Sequence, residues 1–164
     1  MNLSKLAVLA FVVLLPAICH AKGTCPWINE ATAFGVLGGS AHSPASLSEV
    51  SPTSCNFVYK DTASSRSLLV TVEVATDPGQ AFNAYKAQCG SHVNSLPAIG
   101  NEAVLCSGKK NHIAGEQVVG RVRDNVFTIK LSTNAKNDPA MARDALEQKA
   151  RLVAEQVEIG RAHV

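Results

Sequence analysis

The stretch that most constrains this chain is residues 116–133, EQVVGRVRDNVFTIKLST. Val118, Gly120 and Val122 alternate with Val119, Arg121 and Arg123. After Asp124-Asn125, Phe127, Ile129 and Leu131 alternate with Thr128 and Lys130. A period of two on both arms is the pattern of strands with one buried and one wet face. Asp and Asn tolerate the positive φ of a tight turn, so this pair is expected to join the arms. A lone hairpin is marginal in water. This one is therefore expected at the centre of an antiparallel sheet, with Phe127, Ile129 and Leu131 pointing into the core.

The remaining segments supply partners for it. Residues 55–60 place Cys55, Phe57 and Tyr59 on one face, and residues 68–74 alternate Leu68, Val70, Val72 and Val74 with Leu69, Thr71 and Glu73. The two runs read as a second hairpin, and residues 102–107 as a short fifth strand. Three helices are expected. The first starts at Pro26 with Thr24 as its cap, carries Ile28, Ala31 and Gly35 on its stripe, and stops at Gly38-Gly39. The second opens at Asp77-Pro78, aligns Phe82, Tyr85 and Cys89, and ends at Gly90. The third follows Asn137-Asp138-Pro139 and runs to about Glu158, burying Ala142, Leu146, Val153 and Val157. Residues 40–54 and 91–100, rich in Ser, Pro and Gly, read as loops. The expected fold is α+β: an antiparallel sheet of about five strands with three helices.

Both ends are expected to lie outside the domain. Lys5, the apolar run 6–15, Pro16 and Cys19-His20-Ala21 form a signal peptide cleaved near Ala21. Pro16 and Ile18 stand where lipid attachment to Cys19 would want Leu and a small residue, so no lipid anchor is expected. Residues 159–164, IGRAHV, translate a string resembling a sequencing adapter and are read as an artefact. A single domain at 22–158 remains. Lys5 and Arg161 fall in the discarded ends with no acid, so the surplus of 15 Lys+Arg over 13 Asp+Glu disappears. A neutral domain is not expected to bind nucleic acid.

Cys19 leaves with the leader, and Cys25, Cys55, Cys89 and Cys106 remain. An even count in an exported chain points to two disulfides. Three pairings are open. Cys25–Cys55 with Cys89–Cys106 is preferred, because each bond would join a helix to a nearby strand. No Cys-x-x-Cys supports a zinc site instead.

Catalytic signals are sparse. His42, His92 and His112 fall in expected loops without metalloprotease spacing, and there is no Gly-x-Ser-x-Gly elbow. Glu73 and Glu102 show no sign of a pair with split acid and base roles. No metal or cofactor is expected. Arg121, Arg123 and Lys130 form a small basic strip on the wet face of the central hairpin, the candidate site for a carboxylate or phosphate.

Three segments carry a resemblance: the Cys25 region ending in Leu37-Gly38-Gly39 and followed by Cys55-Asn56-Phe57; the turn Pro97-Ala98-Ile99-Gly100-Asn101-Glu102-Ala103; and Arg123-Asp124-Asn125-Val126 before a final helix. Together they resemble a broad group of small exported bacterial proteins and lipoproteins of unknown function, some of which look like extracellular sensor domains. The resemblance implies an α+β domain with an antiparallel sheet and a Cys25–Cys55 disulfide, and it brings no catalytic residues. The reading is thus a secreted or periplasmic, non-enzymatic binding or sensor-like domain with an unknown envelope ligand or protein partner. The alternatives are a small secreted hydrolase-like enzyme and a protein-interaction module.

Overall fold

The computed structural model describes residues 24–38, 45–90, 92–107, 114–135 and 138–162. The expected leader, His42 and His112 lie outside them, as do residues 163–164 of the expected tail. The elements are α1 (Glu30–Leu37), β1 (Ser46–Ser51), β2 (Ser54–Lys60), β3 (Ser65–Val74), α2 (Pro78–Lys86), β4 (Val93–Ser95), β5 (Glu102–Ser107), β6 (Ala114–Val122), β7 (Asn125–Thr133) and α3 (Arg143–Ala162), the last preceded by a 3-10 turn at Pro139–Met141. One antiparallel sheet runs β1-β2-β3-β7-β6-β5-β4.

The α+β class and the three helices match the expectation, but the strands described are seven rather than about five. The additions, β1 and β4, are the edges of the sheet and were read as loops. Their pairing is carried by backbone bonds rather than by an apolar face. β1 buries only Leu47 and contains a register shift between Leu47 and Glu49, while β4 is three exposed residues long. Short, bulged or charged edges resist pairing with other chains.

β7 is the middle strand, as the alternation of its residues demands. The turn before it lies one residue earlier than expected. Val122 pairs with Asn125, so Arg123 and Asp124 are the central residues, and the positive φ falls on Arg123 at 52°. The side chain of Asn101 holds this strained turn, accepting the Arg123 N–H at 2.7 Å.

One face of the sheet packs under α1 and α3. Phe57, Leu68, Val70, Phe127, Ile129, Leu131 and Val118 meet Ala33, Val36 and Leu37 of α1 and Leu146, Ala150, Val153 and Val157 of α3. Gly120 faces Phe127 in the β6–β7 register, and the ring lies across it, where any side-chain carbon would overlap the ring. Gly120→Ala must displace a fully packed ring and is expected to cost about 1–3 kcal/mol in urea unfolding. A loss under about 0.5 kcal/mol would show that the ring yields freely.

The first helix starts later than expected. Asn29, not Thr24, is the N-cap, its Oδ1 accepting the Thr32 N–H at 2.8 Å. The buried stripe differs as well: Ala33, Val36 and Leu37 are buried while Ala31 and Gly35 are exposed. Trp27 and Ile28 still enter the core, from the segment ahead of the helix. Gly38 ends α1 at φ 70°, its N–H donating to Phe34 O. α2 begins as expected, with Asp77 capping Gln80, but it ends at Lys86, so Cys89 lies on the turn beyond it. In the α3 stripe Ala142 is exposed and Ala150 and Ala154 are buried.

Cys25 bonds to Cys55, with Cα atoms 5.8 Å apart, and Cys89 to Cys106, at 5.6 Å. The first ties the segment before α1 to β2, and the second ties the turn after α2 to β5. Disulfides persist in oxidising compartments. They fit an extracellular or periplasmic protein, and no described helix is long and apolar enough to cross a membrane.

Candidate functional site

Three places on the fold carry chemistry: the sheet face under α2, a buried ion pair at one end of the sheet, and a groove between α1 and α3.

The sheet face holding Arg121 and Lys130 is not wholly wet. α2 packs on it, and Phe82, Val104, Val119 and Val126 form a second, smaller core with Ala75, Ala81, Tyr85 and Cys89. Val119 and Thr128, read as outward, are buried. The alternation was correct, but its polar phase includes two residues that serve a helix rather than solvent. Arg121 pairs with Glu102, Nε to Oε1, at 2.9 Å. Glu73, two strands away in the same cross-sheet row, accepts the Tyr85 hydroxyl at 3.0 Å. The bond to Glu73 and burial both push the Tyr85 phenol above its usual range, burial more strongly. Lys130 is exposed and lies four residues along β7 from Val126, the residue opposite Arg121. That separates the two cations by roughly 13 Å. Arg123 sits on the turn. The three candidate cations therefore lie at three places around α2, and the acids Glu73 and Glu102 are engaged separately.

At the opposite end of the hairpin a buried cluster ties five segments together. Cross-strand register places Tyr59, Arg66 and Thr133 side by side on β2, β3 and β7. Arg66 grips Asp138 through two bonds, Nε to Oδ2 at 2.6 Å and Nη2 to Oδ1 at 2.8 Å. Its Nη1 donates to Leu37 O at 2.8 Å, satisfying a carbonyl at the end of α1. Asp138 also accepts from Thr133 Oγ1 and Ala140 N. The guanidinium carbon stands 5.0 Å from the Tyr59 ring centre. Burial alone would push the Asp138 carboxyl up, but the Arg66, Thr133 and Ala140 donors prevail and hold it below its usual range. Every charge here has a partner, which marks a structural clamp rather than a reactive centre. Asp138 was legible only as helix punctuation.

The groove lies on the outer side of the helical layer. Thr32, Gly35 and Val36 of α1 lie on one side and Gln148, Lys149, Leu152 and Gln156 of α3 on the other of an open depression of about 480 Å³. Spacings of three and four put each set on one face of its helix. Lys149 is half-buried and donates to Ala140 O at 2.7 Å. Burial lowers its ammonium pKa from the usual lysine range, Arg66 adds to that, and Asp138 opposes it. Leu152 is 49% exposed, a large aliphatic group facing solvent at the groove. A Cβ added at Gly35 would meet nothing within 4 Å. Packing therefore does not require this glycine, although glycine inside a helix costs about 1 kcal/mol relative to alanine. Gly35→Ala is expected to raise stability by about 0.5–1 kcal/mol, read as a higher melting temperature. The sequence carries no motif for the groove, because all its residues but Val36 flank the buried stripes of α1 and α3, where polar and apolar side chains alternate.

His92 is exposed, and no group of three or more His, Cys, Asp or Glu among the described residues could hold a metal. Comparison with family models, curated proteins and solved structures finds no match to this chain.

Proposed function

We propose that this is an exported, non-enzymatic binding domain, released from its leader near Ala21, whose ligand surface is the groove between α1 and α3. The groove carries the reading: its volume of about 480 Å³ lies in the range of small-molecule sites, and its lining mixes aliphatic surface with a few polar groups. The disulfides support a place outside the cytosol. The likeness to small exported proteins with sensor-like domains points to the same class. The hairpin cations, dispersed around α2 with Arg121 already paired, support a ligand site less well than the groove does.

Thermal unfolding of the oxidised protein against small acids, lipids, glycan fragments and divalent metals tests the proposal. A ligand at a hundred times its Kd stabilises the fold by about 2.7 kcal/mol. A shift that disappears in Gly35→Phe, which fills the groove, supports the reading. A shift that survives Gly35→Phe and disappears in an Arg121→Ala/Arg123→Ala variant moves the site to the hairpin. No shift with any class overturns small-molecule binding and favours a protein partner.

A further inference from the structure

We propose that the α1–α3 groove takes an aliphatic carboxylate, its charge meeting Lys149 and its hydrocarbon chain lying over Gly35 and Leu152. This rests on the groove being a binding site and names the class of ligand it admits.

The charge argument starts from the clamp beneath. Arg66 and Asp138 neutralise each other through two hydrogen bonds. Lys149 stands near that pair as one further positive charge, with no carboxylate of the described residues within ion-pair distance. An ammonium has three donors, and one of the three goes to Ala140 O. A half-buried cation with unused donors at the wall of a groove is complemented by an anion. A partly desolvated site strengthens that attraction over its value in water.

The shape argument selects a body for the anion. Leu152 of α3 offers exposed aliphatic surface, and the missing side chain at Gly35 of α1 leaves the space opposite it open. Gln148, whose amide can also donate, lines the same groove.

The test uses titration calorimetry of the oxidised protein with octanoate and, as the uncharged probe of equal length, 1-octanol. Octanoate is expected to bind at least tenfold more tightly than octanol. Lys149→Met, which keeps the aliphatic stem, is expected to remove that preference while leaving octanol binding unchanged. Gly35→Phe is expected to abolish both, and its melting temperature shows whether the fold is intact. Equal affinity for the two probes, or octanoate binding indifferent to Lys149→Met, overturns the carboxylate proposal while the groove stands. Binding of neither probe, or binding of both untouched by a folded Gly35→Phe variant, overturns the groove reading itself.

Discussion

Asp138→Asn is expected to destabilise the protein by about 3–5 kcal/mol, the cost of leaving a buried charge without its partner. Arg66 and Asp138 have side-chain exposures of 9% and 1%. The asparagine cannot accept both guanidinium bonds as a carboxylate does, and among the described residues Arg66 has no second carboxylate within ion-pair distance. The loss should appear as a lower urea midpoint with an unchanged slope. Replacing both partners with apolar side chains, Arg66→Met with Asp138→Leu, should recover part of it, because no charge is then stranded. Recovery will be incomplete, since Asp138 also holds Thr133 and the Ala140 amide, and Arg66 holds Leu37 O. A loss below about 1 kcal/mol for Asp138→Asn would show that water or a neighbouring group replaces the carboxylate.

The same pair makes a pH prediction with a definite sign. The folded Asp138 carboxyl titrates below its usual range. Its stabilising contribution is therefore fully present above the unfolded value near 3.9 and is lost as pH falls below that toward the folded value. Asp61 is also lowered, chiefly by the Ala63 and Ser64 amides, so its contribution too is lost toward acid. The difference between wild type and Asp138→Asn isolates the clamp: the stability gap between them should narrow as pH drops from about 5 to about 2. A gap that is constant over that interval would refute the assignment.

The second large effect is expected at the first disulfide. Cys25→Ser/Cys55→Ser opens a loop with a sequence separation of 30, which the chain-entropy account values at about 3–4 kcal/mol. The bond also positions Trp27 and Ile28, which reach the core from a segment outside any helix. Their loss of anchorage should make the effect larger than at Cys89–Cys106, where the separation is 17 and α2 is fixed independently by Phe82. Guanidinium unfolding of the two double variants compares them directly. Equal or reversed losses would show that the segment before α1 is held by packing alone.

How much of this was legible in residues alone differs from element to element. Alternation at Phe127, Ile129 and Leu131 placed β7 in the core because a strand's side-chain period does not depend on its neighbours. Asp77-Pro78 marked the start of α2 because capping is a contact within a few residues. Turn and helix boundaries slipped where two local signals competed, as at Thr24 and Asn29, or at Asp124-Asn125 against Arg123-Asp124.

Other features have no local signature. β1 and β4 are strands only because a neighbour offers them a ladder. Val119 and Thr128 lie under α2 because the chain crosses to that face after β3, a choice made by the whole sheet. Arg66 and Asp138 are 72 residues apart, and the groove exists only where α1 and α3 lie side by side over the same sheet. Residues alone carried the strand periodicities and the Asp77 cap of α2, because both depend on interactions within a strand or a turn. The clamp, the covered sheet face and the groove arise from the packing of distant segments, because each depends on distances that no spacing along the chain encodes.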